Sequence, residues 1–377
     1  MAHREGSARM GVPASAETPP QMSALPSPSD MAPAPAAADL HVPSSPVASE
    51  AQERLSGARR ALILFVIQGV PLLGFGAGVW LYLREGVSAL DLGLLVGGYL
   101  LTMTGVEVGL HRYFAHRTFE TTRPLRALLL ILGSMAGQGS ALLWSAVHRT
   151  HHAHTDQPGD LHSPVLGRHG AWDKFRGWFW AQFLWYLDVP AIPRFGRLLD
   201  RHRDSPATLL SSKEDDQAHR FARTLPDLLR DEPLVRLNQR YGTWVLLGFA
   251  LPALVGGLAT LSWEGALSGL VWGGFVRYFL VQQISFAINS VGHTVGVHSV
   301  PSRDHSRNNV VMALLTLGAG WHNNHHAFPG SVRTNFRWWQ VDLGYLLLSL
   351  LARLGLVWDL REPSPEALSA RTSSRMT

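Results

Sequence analysis

The sequence predicts an all-α integral membrane protein with four transmembrane helices in two hairpins and a histidine-rich helical cap. Hydrophobic residues make up 46% of the 377 residues and charged residues only 16%, below the share of about a quarter that is usual for soluble domains. Residues 61–83 carry no charge, and 23 residues at about 1.5 Å each are enough to cross a hydrocarbon core of about 30 Å. Short histidine clusters follow the later apolar segments, which predicts one functional centre at a membrane surface.

The two ends of the chain differ from the middle in composition. Residues 1–55 are rich in Pro, Ala and Ser with few large apolar side chains, so they bury too little surface to offset chain entropy and predict a disordered tail. The first residues contain no apolar h-region, which argues against a secretory signal. We expect a membrane domain over 56–362 and a second disordered tail over 363–377.

The first hairpin is predicted from residues 61–83, a tight connection at 84–87 and a second apolar stretch at 90–110. A chain that crosses twice returns to the side where it began. The hairpin therefore brings His111 and His116 to that side of the membrane.

Residues 125–143 are apolar but contain several glycines and polar residues. A single crossing there would place His111 and His148 on opposite faces, so we expect this segment to lie in the interface or to re-enter. The aromatic stretch 172–186 is typical of the membrane–water boundary. Residues 194–240 are charged and predict a partly helical, surface-lying segment.

A second hairpin is predicted from residues 243–261 and 266–288, and it returns His293 to the starting side. By the same parity, the apolar segments 310–317 and 343–356 are peripheral. The net charge of +5 does not indicate a nucleic-acid partner, because the basic residues follow the membrane segments instead of forming one tract. The positive-inside rule then predicts that the histidines and both termini lie on the cytoplasmic side. We expect the membrane to be the inner (cell) membrane of a bacterium.

Three histidine boxes hold eight of the eighteen histidines. His148, His151 and His152 are spaced i, i+3 and i+4, so a helix would point all three imidazoles at a common place. The other two boxes contain the following residues: His111 and His116; His322, His325 and His326. Repeated clustering of this kind indicates a metal site, because packed imidazoles without a metal compete for partners or repel on protonation.

The sequence has no cysteine, so any metal must be held by nitrogen and oxygen. Neutral imidazole suits iron, copper and zinc, and this number of histidines is too large for one ion and suits two. A histidine-rich metal pair beside an apolar interior indicates oxygen chemistry on a lipid-soluble substrate.

Four motifs carry a family resemblance: His-Arg-Tyr-Phe-Ala-His at 111–116, His-Arg-Thr-His-His at 148–152, Asn-Ser-Val-Gly-His at 289–293 and Gly-Trp-His-Asn-Asn-His-His-Ala-Phe-Pro at 320–329. In this order and spacing, over about 61–360, the chain resembles the membrane fatty-acid desaturases of the acyl-CoA (stearoyl-CoA) type. The resemblance implies four transmembrane helices with a cytosolic cap, two Fe²⁺ ions and O₂ as co-substrate. It also implies insertion of a cis double bond, commonly at carbon 9, into a fatty acyl thioester or acyl-lipid.

The resemblance also assigns the metal site and a partner. Asn289 would hold a metal-bound water, and electrons would come from a separate ferredoxin, rubredoxin or cytochrome b5-like protein with its reductase, since no fused cytochrome b5 domain follows the last box. The segment 194–223 looks longer and more charged than the family leads us to expect. The implied metal ligands are His111, His116, His148, His151, His152, His293, His322, His325 and His326.

Two further interpretations concern charged residues. Glu107 stands one helical turn before His111, where the family leads us to expect a small or hydroxyl residue, and it is a candidate acceptor for a ligand's ring N–H; the alternative is an interfacial acid facing water. Arg149, Arg168 and Arg176 are candidates for a basic surface that receives the substrate head group or the acidic electron donor. The alternative for these arginines is positive-inside orientation alone.

Two other functions remain open at this point. A histidine-box hydroxylase would use the same oxidant but add oxygen. A metal transport or storage protein would need ligands along a path through the bilayer, whereas the boxes here are predicted at one face.

Overall fold

The computed structural model describes residues 56–165, 170–189 and 191–373, with the side chains of 372 and 373 excepted. The predicted tail over 1–55 lies outside the described residues. Arg168 also lies outside them.

The described chain is mostly helical, as predicted, and three helices are long and apolar enough to cross a membrane. They are Gly57–Glu85, Ala89–Ala115 and Tyr241–Thr260. These helices contain or overlap the predicted segments 61–83, 90–110 and 243–261.

The turn of the first hairpin follows from local chemistry. The first helix ends where Gly86 adopts a φ of 78°, a conformation that costs glycine little. Ser88 and Asp91 then form a capping box that starts the second helix. Asp91 also accepts a hydrogen bond from Ser268 at 2.7 Å, which joins the two hairpins near their turns.

The second hairpin turns at Leu261, which is left-handed with a φ of 49°, and Ser262 caps the next helix. That helix runs without a break over residues 263–290, as α-helix Trp263–Gly269, π-helix Leu270–Val276 and α-helix Arg277–Ser290. The predicted fourth span, 266–288, lies inside it. This helix is not among the three that are long and apolar enough to cross a membrane, so its crossing stays a prediction.

The remaining described elements lie between the two hairpins and after the second one. Between the hairpins lie helices Arg123–Met135, Ala141–His154, Ala171–Phe183, Ala191–Arg201, Gln217–Arg223, Pro226–Leu229 and Glu232–Gln239, with 3₁₀ turns Trp185–Asp188 and Pro206–Ser211. After the second hairpin come Val310–Leu315, His322–Ala327, Leu343–Arg353 and Pro365–Ser373. Strands Glu120–Thr121 and Val357–Trp358 pair antiparallel, with Glu120 opposite Trp358.

The apolar segment 125–143 does not form one spanning helix. Helix Arg123–Met135 ends before a bend in which Gly137 and Gly139 have φ values of 70° and 101°, and Ser140 caps helix Ala141–His154. The two helices have 13 and 14 residues, about 20 Å each, too short to cross. The first of them packs closely on the second membrane helix, since a Cβ on Gly105 would lie 2.1 Å from the backbone nitrogen of Gly133.

The predicted partly helical character of 194–240 is confirmed. This segment does not only lie on the surface, because Phe195, Phe221 and Leu229 are fully buried in the core. Helices Ala191–Arg201 and Gln217–Arg223 contact helix Ala141–His154. The charged segment therefore supports the helix that carries the second histidine box.

The predicted disordered tail over 363–377 is wrong for residues 365–373, which form a helix. The Ser364 hydroxyl accepts a hydrogen bond from the Ala367 backbone at the start of this helix. The Arg371 guanidinium stacks 4.9 Å from the centre of the Phe328 ring and donates to the Ala327 carbonyl. These contacts attach the helix to the segment that follows the third histidine box.

Candidate metal centre

The nine predicted histidines converge in two neighbouring groups. Ligand nitrogens of His111, His116, His148 and His325 all lie within 4.8 Å of one another, and so do those of His151, His293, His322 and His326. The Nε2 atom of His152 lies 3.1 Å from that of His148 and 3.0 Å from that of His325. We call His111, His116, His148, His152 and His325 the first histidine group, and His151, His293, His322 and His326 the second histidine group.

Two helices each contribute histidines to both groups. Helix Ala141–His154 gives His148 and His152 to the first group and His151 to the second. Helix His322–Ala327 likewise gives His325 to the first group and His322 and His326 to the second. The predicted common target of His148, His151 and His152 is therefore divided between adjacent sites, and the shared helices fix the position of one group relative to the other.

Carboxylates set the tautomer of several of these histidines. Their Nδ1 atoms lie 2.8 to 3.1 Å from a carboxylate oxygen in four pairs: His111 with Glu107, His151 with Asp160, His293 with Asp156, and His326 with Asp304. An imidazole that donates from Nδ1 and is neutral presents a lone pair at Nε2. In both groups the converging atoms include these Nε2 lone pairs.

The donor set fits metal ions. Nε2 atoms are separated by 3.0 Å between His111 and His325 and by 3.1 Å between His293 and His322. Two imidazole nitrogens bound at about 2.1 Å to one ion, at a right angle, are about 3 Å apart. The Nε2 atoms of His151 and His326 are buried and have no hydrogen-bond partner among the described residues, which is costly unless a cation binds there.

The electrostatics also suit a cation. Burial, and then the neighbouring imidazoles, lower the pKa of His148, His152 and His326 well below the ordinary value, so these side chains are neutral near pH 7. Burial alone would raise the pKa of Asp156. The hydrogen bond and charge of His293, together with the Ser163 hydroxyl and the His305 N–H, outweigh burial and lower that pKa to about 2.

Sequence reasoning missed the aspartates of the second group. Asp156 and Asp160 stand in the polar stretch 155–162, and Asp304 stands in another loop. Aspartate is common in turns, so no local signal distinguishes these three. His162 was also missed; it is buried, its ring lies 4.4 Å from that of His151, and its Nδ1 has no hydrogen-bond partner among the described residues.

Glu107 is buried beside the first group. Its Oε2 lies 2.8 Å from His111 Nδ1, and its Oε1 accepts hydrogen bonds from Arg112. Only 2% of its surface is exposed, so the alternative of a water-facing acid does not describe its position. Its effect on a bound metal stays a prediction.

Arg149 is occupied by contacts within the protein. Its guanidinium donates to the carbonyls of Phe114, Ala115 and Thr224 and to both carboxylate oxygens of Asp227. These five contacts match the five N–H donors of an arginine. The arrangement favours a structural role for Arg149 over the predicted reception of a head group.

Arg176 and Asn289 occupy different surroundings. The Arg176 side chain is 67% exposed on helix Ala171–Phe183, with Asp173 at 3.9 Å. Asn289 lines a cavity of about 390 Å³ that also reaches His111, His148 and His322. Most of the wall is apolar and includes Val66, Ile67, Met103, Val106, Leu143, Val147, Phe286 and Ile288. The candidate metal centre therefore opens onto a space suited to a hydrocarbon chain.

The chain is mostly helical and has membrane-length helices, and its histidines converge beside an apolar cavity. These features are typical of histidine-box membrane proteins. The family model for fatty acid desaturases matches residues 90–357. The chain belongs to the fatty acid desaturase family, a family of oxidoreductases, which confirms the resemblance found in its motifs.

Relatives with assigned activities support the same family. The chain is 39% identical over 305 residues to the hex-5-enoyl-[acyl-carrier protein] acetylenase of Moorena producens (strain JHB), covering 80% of this chain and 86% of that protein. It is 30% identical over 326 residues to the sn-1 stearoyl-lipid 9-desaturase of Synechocystis sp., covering 85% and 86%. It is 29% identical over 310 residues to acyl-CoA desaturase 1 of Saccharomyces cerevisiae, covering 81% of this chain and 52% of that protein. The names of these three relatives refer to three different acyl carriers, namely acyl carrier protein, a lipid and CoA.

Proposed function

We propose that the protein is an oxygen-dependent di-iron desaturase that introduces a cis double bond into a saturated fatty acyl chain. The observation that carries the proposal is the convergence of nine histidines in two groups at an apolar cavity. We further propose carbon 9 as the position, and acyl-CoA or an acyl-lipid as the substrate. The 9-desaturase among the relatives supports the position.

The first histidine group would hold one Fe²⁺ and the second the other, and Asn289, which lines the cavity, would hold a metal-bound water. The metal pair supplies the activation of O₂: two neighbouring methylenes lose two hydrogens, and O₂ with two electrons and two protons from outside becomes two waters. Nitrogen ligands with no thiolate available suit this metal.

The remaining steps belong to the residues of the chain. The apolar cavity wall binds the acyl chain and excludes water from the reacting carbons. The carboxylates on Nδ1 hold the imidazole rings in one orientation, so the site is arranged before the substrate arrives. Because helices Ala141–His154 and His322–Ala327 each contribute to both histidine groups, they would keep the two metal sites in a fixed position beside the cavity.

We propose that residues 263–290 form the fourth transmembrane crossing, which would bring both hairpin returns to the same side of the membrane. The positive-inside rule supports the cytoplasm as that side. The helix contains Arg277, which lowers its hydropathy, but this arginine is 1% exposed and donates to the carbonyls of Met135, Gly248 and Gly273. A buried charge that donates to backbone carbonyls is tolerated inside a membrane protein. The location would be the inner membrane of a bacterium.

A separate ferredoxin, rubredoxin or cytochrome b5-like protein with its reductase would supply the electrons. The sequence has no cysteine and so holds no iron–sulfur cluster of its own. Exposed Arg176 is a candidate contact for an acidic donor or for a substrate head group.

The test is expression in a host that lacks desaturase activity, together with a donor system, followed by gas chromatography and mass spectrometry of the fatty acids. The expected product is two hydrogens lighter than its precursor, with a cis double bond at carbon 9. A product that gains one oxygen would identify a hydroxylase instead. Metal analysis showing one zinc and no iron in the active protein would refute the di-iron proposal.

The name of the acetylenase relative suggests one further substrate to test, the hex-5-enoyl group on acyl carrier protein. Offering hexanoyl and hex-5-enoyl groups on acyl carrier protein alongside stearoyl groups on CoA and on lipid separates the carriers and the chain lengths. Turnover of the hex-5-enoyl group alone would replace carbon-9 desaturation with acetylenase activity.

A further inference from the structure

A buried network of three charged residues stands behind the first histidine group. Glu107, Arg112 and Asp342 are each 2% exposed or less, and Asp342 joins the other two from 230 positions beyond Arg112 in the sequence. Arg112 donates to Glu107 Oε1 from Nε at 3.0 Å and from NH2 at 2.8 Å, and its NH2 also donates to Asp342 at 2.9 Å. Burying such charges is expensive unless they are paired, and here the two carboxylates share the guanidinium of Arg112.

The geometry of the second membrane helix places one carboxylate between two residues. Residues Gly105–Ala115 form a π-helix, in which i+4 and i+5 both lie near the face of residue i. Glu107 therefore reaches His111 with Oε2 and Arg112 with Oε1. Neither oxygen can turn away without losing a hydrogen-bond donor.

Asp342 fixes the outer end of the network. Its oxygens accept hydrogen bonds from the backbone and hydroxyl of Thr334, both at 2.9 Å, and from the Tyr345 backbone at 2.8 Å. Arg112 also donates to the Val332 carbonyl at 2.8 Å. The arginine is thus attached to the segment that follows the third histidine box, and its position determines where Glu107 lies.

We propose, on the basis of the di-iron function above, that Arg112 and Asp342 hold Glu107 as the positioning residue that orients His111 and strengthens metal binding in the first histidine group alone. Within the described residues, Glu107 is the one carboxylate hydrogen-bonded to an imidazole of that group. Its acceptor fixes the Nδ1–H tautomer and makes Nε2 more basic. The second group has separate acceptors, so the effect stays local.

The test compares Glu107→Gln with the matched variant Asp304→Asn, which changes the acceptor of His326 in the second group. Glutamine keeps the size of the side chain, but its NH₂ must face either His111 or Arg112, so one donor loses its acceptor. Both variants are purified, loaded with ⁵⁷Fe and examined by Mössbauer spectroscopy. Iron retention against a chelator and the melting temperature of the iron-free protein are measured as well.

We expect Glu107→Gln to weaken the binding of one iron about ten- to a hundredfold and to shift the signal of that iron alone. Asp304→Asn should change the other signal. A third variant, Asp342→Asn, does not touch His111 and should weaken the same iron as Glu107→Gln, by a smaller factor. This variant also tests the proposal if Glu107→Gln fails to fold.

Unchanged iron affinity and spectra in Glu107→Gln and Asp342→Asn would overturn the proposal. Equal loss of both irons with a lowered melting temperature of the iron-free protein would overturn it too, because the network would then only join segments of the fold. Wild-type protein that binds fewer than two irons would refute the proposed function, which is a separate outcome.

Discussion

The two histidine groups offer the same ligand atoms but are supported by different parts of the molecule. In the first group, the carboxylate is Glu107 on a membrane helix, fixed by Arg112 and Asp342. In the second group, the carboxylates are Asp156, Asp160 and Asp304, all in loops. Identical ligands therefore need not give identical metal sites, since ring orientation and basicity depend on the residues behind the imidazoles.

The largest expected effect comes from removing one ligand from each group in turn. His325→Ala in the first group and His151→Ala in the second should each reduce product to background and lower bound iron. The matched control is His154→Ala, because His154 is on the same helix as His151 but is exposed. Iron content per chain and product yield are the measurements, and full iron content with normal yield in either ligand variant would contradict the assignment.

A smaller effect is expected from changing an acceptor in the second group. Asp156→Asn keeps the shape but removes the charge that accepts from His293 Nδ1. Iron affinity should fall about ten- to a hundredfold, the usual scale for such losses. Chelator competition measures it, and an unchanged affinity would show that the loop aspartates only order their loops.

Arg149 lies between His148 of the first group and His151 of the second on helix Ala141–His154. It holds this helix to segment 194–240 by binding Asp227. Arg149→Lys should lower the melting temperature by several degrees, since a lysine offers fewer donors to the carbonyls that arginine satisfies. The KM values for acyl substrate and donor should stay unchanged. A higher KM at an unchanged melting temperature would instead support the predicted head-group contact.

The smallest effect is expected at the exposed surface. Arg176→Glu should leave the melting temperature and bound iron unchanged, because the side chain extends into solvent. If Arg176 meets an acidic donor, the KM for the donor should rise severalfold at low salt, and the difference should shrink at high salt. Identical donor kinetics at all salt concentrations would leave orientation in the membrane as its role.

The motifs predicted much of the centre, because histidine spacing on a helix is a local property. His148 and His152 are one turn apart, and a helix necessarily brings them to one face. Apolar segments likewise predicted three membrane-length helices within a few residues, since helix length and bilayer thickness are fixed quantities. The helix over 365–373 was missed because its anchor is a contact between Arg371 and Phe328, more than forty residues apart in the chain.

The residue type of the candidate ligands, the spacing of the boxes and the apolar character of the long helices can be read from the sequence, because they depend on neighbours within one or two helical turns. The packing of the chain, in contrast, divides His151 and His152 between different groups and puts Asp156, Asp160 and Asp304 behind the second group. It also decided that Arg112 and Asp342 meet behind Glu107, although they are 230 positions apart. Such pairings are set by how helices pack, and no local preference of an aspartate or an arginine specifies its distant partner.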